Sequence, residues 1–83
     1  MKISVVIPVY NGEKFIADAI SSVLSQTFSA SEIIVINDCS TDNTLDVLAT
    51  FNNKIKIITN KKNSGASFSR NQGIRAASYD FIA

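Results

Sequence analysis

Two short stretches, ISVVIPV at residues 3–9 and EIIVI at residues 32–36, are, apart from Ser4 and Glu32, apolar and largely β-branched at consecutive positions. A strand with one wet face alternates apolar and polar residues, whereas a strand covered on both faces does not. Covering both faces takes helices above and below, and a parallel sheet with crossover helices provides them. That requirement alone points the chain towards a layered α/β architecture.

The intervening segments supply the helices. Asn11-Gly12 turns the chain after Pro8, whose missing donor is spared at a strand end. Phe15, Ile16, Ala19, Ile20, Val23 and Leu24 then recur at helical spacing, with Lys14, Asp18, Ser22 and Gln26 on the other side. After the second strand, Ser40 or Thr41 is predicted to cap a second helix, with Asp42 in its first turn. Leu45, Leu48 and Phe51 are its expected inner face, and Asn52-Asn53 ends it. A third strand is predicted over Ile55–Ile58, followed by the loop NKKNSG with Asn63 or Ser64 as the next cap. The third helix is predicted over residues 66–77, with a face of small residues at Ala66, Ser69, Gly73 and Ala77. YDFIA reads as the start of a fourth strand. The order β-α-β-α-β-α-β implies a three-layer α/β/α, Rossmann-like fold with a mostly parallel sheet and right-handed crossovers.

Composition narrows the chemistry. The 83 residues make one domain or part of one, and an apolar fraction of 46% is ordinary for a folded chain. A net charge of +1 points to neither nucleic acid nor a membrane surface as partner. The single Cys39 allows no internal disulfide and fits a reducing, cytoplasmic setting. Without histidine, a zinc site of His and Cys ligands and a Ser-His-Asp or Cys-His nucleophile are excluded. As a nucleophile, Cys39 has no base near it in sequence. No apolar run approaches the ~20 residues of a membrane span, and Pro8 with Asn11-Gly12-Glu13-Lys14 argues against a signal peptide.

In open α/β sheets ligands bind outside the carboxyl ends of the strands. Three polar clusters fall there: Pro8-Val9-Tyr10-Asn11, Asn37-Asp38 and the Asn60–Gly65 loop. Asp38 is the sharpest candidate, because a carboxylate there can accept the ring N–H of a pyrimidine, with Tyr10 laid against the base. The alternative is that Asp38 merely bonds backbone amides at the corner and Tyr10 is packing. Asn63-Ser64-Gly65 opens a helix whose amides can receive a phosphate, with Arg70 reaching toward the same anion. Lys54, Lys56, Lys61 and Lys62 form a basic run that reads as a solvated edge, since no aromatics interleave it.

Taken together, ISVVIPVYNGEKFIADAISSVLSQTF, EIIVINDCSTDNT and NSGASFSRNQGI resemble the family 2 glycosyltransferases, inverting enzymes on a nucleotide-diphospho-sugar transferase fold. The likeness covers essentially the whole chain. It implies that Pro8, Val9, Tyr10, Asp38, Gly65 and Arg70 serve the nucleotide of a nucleotide-diphospho-sugar, a UDP-sugar in the usual case. No catalytic residue and no metal site are expected within these residues. The resemblance places the acids for Mg2+ or Mn2+ just beyond Phe81-Ile82-Ala83, so the isolated chain is expected to be the inactive donor half of an enzyme. The full-length parent, at the cytoplasmic face of a membrane or free of it, would transfer the sugar to an acceptor hydroxyl. Two residues depart from the family pattern. Asn37 stands where a first acid is frequent, and Cys39 stands where Gly is frequent and is expected to need ordinary backbone angles.

The competing reading is a non-catalytic α/β module that forms a homo-oligomer through an exposed sheet edge. A Rossmann dinucleotide domain is disfavoured, because PVYNGEKF lacks the Gly-rich turn that admits a pyrophosphate. A nucleotidyltransferase lacks its basic Gly-rich turn for the same reason.

Overall fold

The computed structural model describes residues 3–25, 32–51, 53–79 and 81–82. The elements are β1 (Ile3–Val9), α1 (Ile16–Leu24), β2 (Glu32–Asn37), α2 (Thr44–Ala49), β3 (Lys56–Thr59), α3 (Ala66–Ala76) and β4 (Phe81–Ile82). They follow the predicted order. The strands form one sheet in the order β3-β2-β1-β4, and every pairing is parallel. Val9 faces Asn37 across the first ladder, and Asn37 faces Thr59 across the second, so these three strand ends lie level.

Strand order explains the layers. From β1 to β3 the chain steps outward in one direction, then α3 carries it back past β1 to β4. Right-handed crossovers in opposite directions must lie on opposite faces of the sheet. Accordingly, odd-numbered strand residues (Ile7, Val9, Ile33, Val35 and Ile57), with Ile55 just before β3, join Ile16 and Ile20 of α1 and Leu48 of α2 in one core cluster. Even-numbered residues face α3, as shown by Val6 lying against Gly73. Ile34 and Ile36 are wholly buried as well, so β2 is covered on both faces, as its unbroken apolar run requires.

Gly73 permits this arrangement. A Cβ built there would lie 2.2 Å from Val6 Cγ1, a separation no real pair of carbons sustains. The small-residue face therefore serves close approach of α3 to the sheet, with Ser69 and Gly73 buried along it. Ala66 is exposed instead, one of several corrections to the helix faces.

Helix α2 begins at Thr44 rather than near Ser40 or Thr41, because Asp42 folds back to accept from the Thr44 N–H at 2.9 Å and from the Thr44 hydroxyl. That shift rotates the buried face: Thr44 and Leu48 are buried and Val47 packs beside them, whereas Leu45 is exposed. Neither Asn63 nor Ser64 caps α3 by its side chain; Gly65 is the N-cap residue. Phe15 precedes α1 and is 59% exposed.

At the amino end of β2, Glu32 accepts from Ser4 Oγ at 2.6 Å, from the Ser78 N–H at 2.7 Å and from Lys56 Nζ at 2.5 Å. One carboxylate thus ties β1, β3 and the segment after α3 to β2. The Lys56 hydrogen bond is the main cause that holds its pKa down at about 2, followed by those from Ser4 and Ser78. A surface concavity of about 190 Å3 lies beside it among Glu32, Ile33, Asn53, Lys54, Ile55 and Lys56. It is at the amino border, opposite the border where ligands bind in such sheets. Among the described residues, no helix is long and apolar enough to cross a membrane.

Candidate nucleotide site

The carboxyl border is assembled by two tight corners whose residues bond each other. After β1, Asn11 adopts a left-handed conformation (φ 51°) that Asn tolerates better than most residues. Its Oδ1 accepts from the Thr41 N–H at 2.7 Å and its own N–H donates to Ser40 Oγ at 3.0 Å. The Gly12 N–H donates to Thr44 Oγ1, buried, at 2.9 Å, and the Glu13 N–H to Asp42 Oδ2 at 3.3 Å. Burial pushes the Asp42 carboxyl up, but the Thr44 hydroxyl and the Thr44 and Glu13 amides outweigh it and hold Asp42 below its ordinary value. The first and second corners are therefore one hydrogen-bonded unit.

After β2, the chain turns at Cys39 with φ 60°. Ordinary backbone angles were expected for this residue, and the structure overturns that. The corner needs a left-handed residue, and Cys39 adopts it at a cost of about 1–2 kcal/mol that Gly would avoid. The Asn37 side chain steadies the turn by accepting from the Ser40 N–H at 3.2 Å, and Cys39 Sγ approaches the Lys61 carbonyl at 3.6 Å.

Asp38 emerges from this corner only 3% exposed. Its Oδ1 accepts from Asn60 Nδ2 at 2.9 Å and from the Ser64 N–H at 2.8 Å, and its Oδ2 accepts from the Gly65 N–H at 2.9 Å. Asn60 Nδ2 also lies 3.2 Å from Ser69 Oγ on α3. The Asn60 hydrogen bond, then the Ser64 amide, keep Asp38 below the usual carboxylate range; Gly65 and Ser69 add to this against the opposing effect of burial. Asp38 therefore stays ionised throughout the neutral range.

This geometry revises the expectation for the α3 start. The Ser64 and Gly65 amides, foreseen as phosphate ligands, are given to Asp38. The amide-bonding role foreseen for Asp38 is real, but it spans 26 and 27 residues rather than a local corner. Gly65 makes this possible with φ 92°, where a side chain would be strained.

A concavity of about 70 Å3 opens at this border, lined by Pro8, Val9, Tyr10, Asp38, Ala66 and Ser69. Four of the six residues singled out from sequence, Pro8, Val9, Tyr10 and Asp38, thus share one hollow. Gly65 touches it through Asp38. Arg70 is exposed on α3 and is not among the lining residues. Tyr10 is 47% exposed, so its ring is not consumed by packing. The hollow is far smaller than the ~300–1,000 Å3 of a small-molecule pocket, so by itself it does not enclose a small molecule. The sequence marks Asn60 only as the start of a loop at this border and Ser69 only as a small residue on a helix face, because their contribution comes from contact with Asp38 across the fold. The polar residue closing β3 was the only available signal.

The carboxylates here do not suit a divalent cation. Those of Asp38 and Asp42 face N–H and hydroxyl donors, and among the described residues no three acidic or Cys side chains are grouped to hold a metal ion.

Comparison with known proteins adds independent support for the fold. The chain is 43% identical over 82 residues to UDP-Glc:alpha-D-GlcNAc-diphosphoundecaprenol beta-1,3-glucosyltransferase WfgD of Escherichia coli, covering 98% of this chain and 32% of that protein. It is 37% identical to the poly(ribitol-phosphate) beta-N-acetylglucosaminyltransferase TarS of Staphylococcus aureus, covering 99% of this chain and 15% of that one. The crystal structure of S. aureus TarS 1-349 in complex with UDP-GlcNAc superposes with a TM-score of 0.90 at 36% identity, over 99% of this chain and 25% of that one. A Pyrobaculum calidifontis mannosyltransferase, solved in complex with GDP-Man and Mn2+, shares the fold at 18% identity and a TM-score of 0.88, covering 96% of this chain and 25% of that one. The chain thus spans about a third or less of the length of the relatives it matches. The model of the family described as "Glycosyl transferase family 2" matches residues 4–83, and the chain belongs to that family.

Proposed function

We propose that this chain binds the nucleotide of a UDP-sugar, and that the protein carrying it transfers the sugar to an acceptor hydroxyl with inversion. The observation that carries the reading is the ionised, buried Asp38 at the floor of a hollow it shares with the exposed Tyr10 ring. Uracil offers one ring N–H, which a carboxylate accepts in a charge-assisted bond, and its flat face stacks on an aromatic ring. TarS, 36% identical over this segment, has been crystallised with UDP-GlcNAc.

In the transfer, the acceptor oxygen forms a bond to the anomeric carbon as the bond to the diphosphate breaks. The diphosphate leaves with the electron pair, and the acceptor proton passes to a base. Asp38 is unsuited to be that base, because its hydrogen bonds hold its pKa well below working pH. The described residues bind and orient, and we infer that the 83-residue chain alone binds without turnover. Ligands for Mg2+ or Mn2+, which would stabilise the leaving diphosphate, would have to come from other residues.

The reading is tested by titrating UDP into the chain while following amide NMR shifts, with Asp38→Asn as the control. Shifts should concentrate at Tyr10, Asp38 and Ala66, and the substitution should weaken binding by roughly tenfold or more. Unmoved Tyr10 and Asp38 signals at millimolar UDP would refute it. The alternative, self-association through an open edge, would use one of the two outer strands, β4 or β3, of which β3 is the longer among the described residues. That strand is only four residues long and bears Lys56, features that discourage strand addition.

A further inference from the structure

Asp38 presents an unusual acceptor to a ligand. A carboxylate has about four lone-pair positions. Asn60 Nδ2 and the Ser64 N–H fill both on Oδ1, and the Gly65 N–H fills one on Oδ2. The Ser69 hydroxyl, the weakest of the groups that steady this carboxylate, is engaged at 3.2 Å by Asn60 and lies beside Asp38 without reaching hydrogen-bond geometry, so one position, on Oδ2, is left for a molecule in the hollow. The donor from Asn60 is itself held: its side chain is buried with Asp38, its second contact is Ser69 Oγ, and its backbone N–H donates to the Asn37 carbonyl at 2.9 Å.

We propose that Asn60, acting through Asp38, makes the site prefer a base with one ring N–H donor over a base with two adjacent donors, and hence a uridine over a guanosine diphosphate. The inference rests on the nucleotide-binding reading above. Uracil brings one N–H flanked by two carbonyl oxygens, so a lone acceptor position suits it and a second free carboxylate oxygen would be repelled by those carbonyls. Guanine brings a ring N–H beside an amino group, a pair that matches both oxygens of a carboxylate at once. With Oδ1 saturated, the second guanine donor would be buried without an acceptor, which is costly. Asn60 is thus a positioning residue: it need not touch the ligand to decide between the bases. The shared fold does accommodate both kinds of donor, since TarS has been solved with UDP-GlcNAc and the Pyrobaculum mannosyltransferase with GDP-Man.

The experiment measures UDP and GDP affinities by calorimetry in one buffer, for the full natural chain and for its Asn60→Ala variant. The unaltered protein should favour UDP by about tenfold or more, the worth of one buried hydrogen bond to a charged group. Asn60→Ala opens the second position on Oδ1, so the preference should shrink by about tenfold, chiefly through tighter GDP binding. Destabilisation alone would weaken both ligands together and leave the ratio unchanged. If Asn60→Ala does not fold, Ser69→Ala, which loosens the Asn60 amide, should narrow the preference by a few fold. UDP binding with an unchanged ratio in a folded variant overturns this inference and leaves the site intact. Equal affinity for UDP and GDP in the unaltered protein also overturns it, and failure to bind UDP at all removes the underlying reading as well.

Discussion

Replacing Gly73 with Ala tests the packing on which the site depends. The new methyl carbon would lie 2.2 Å from Val6 Cγ1, 3.2 Å from Cγ2 and 3.3 Å from Cβ. Ordinary carbon contacts are about 3.5–4.0 Å, so the overlap is roughly 1.5 Å, and a β-branched Val has few rotamers by which to escape it. Overpacking of this severity belongs at the upper end of its range, about 3 kcal/mol, while Ala gains about 1 kcal/mol over Gly inside a helix. The net is a destabilisation of about 2 kcal/mol, which for a domain this small lowers Tm by roughly 10 °C. Urea denaturation followed by circular dichroism measures it. The companion variant Val6→Ala removes the obstructing methyls, so in that background Gly73→Ala should become neutral or stabilising by about 1 kcal/mol. The double-mutant coupling then approaches 2–3 kcal/mol. Because α3 also carries Ala66 and Ser69 into the hollow, lifting it from β1 should weaken UDP binding as well. A Gly73→Ala chain as stable as the parent, or additive with Val6→Ala, would show that α3 does not approach the sheet as described.

Two further outcomes follow from the same geometry. Cys39→Gly removes a left-handed strain of about 1–2 kcal/mol at the loss of unfolded-state entropy and the weak Sγ contact to Lys61, so chemical denaturation should give a change between neutral and about +1 kcal/mol; Cys39→Val should be clearly destabilising. Glu32 has a folded pKa of about 2 against an ordinary 4.5, so its contribution is fully present above pH 4.5 and is lost as pH falls toward 2. With Lys56 62% exposed and its pairing screened by solvent, that contribution is roughly 1–2 kcal/mol. Denaturation midpoints of the parent and of Glu32→Gln should therefore converge as pH falls through this window, and parallel curves would refute the assignment.

Linear pattern carried a great deal here. Short, β-branched apolar runs bounded by turn residues read as strands covered on both faces, and helical spacing at Ile16, Ile20 and Val23 leaves one inner stripe, so element order and layering follow from local pattern. The sites at the strand ends follow too, because a parallel sheet must turn its chain there, and Asp38 is the carboxylate at the central turn. What periodicity could not provide is contact between residues distant along the chain. The start of α2 was misplaced because Asp42 bonds both Thr44 and Glu13, the latter from another corner. The φ of Cys39 belongs to a corner fixed on both sides, with the Asp38 N–H bonded to the Val9 carbonyl of the neighbouring strand and the Cys39 and Ser40 N–H groups bonded back to Asn37. The amides opening α3 went to Asp38 instead of an anion because folding brings residues 26 and 27 positions away within 3 Å of it. Order and burial are local averages that a sequence displays directly. The direction of each donor, and therefore the acceptor left open to a ligand, exists only once the strands are side by side.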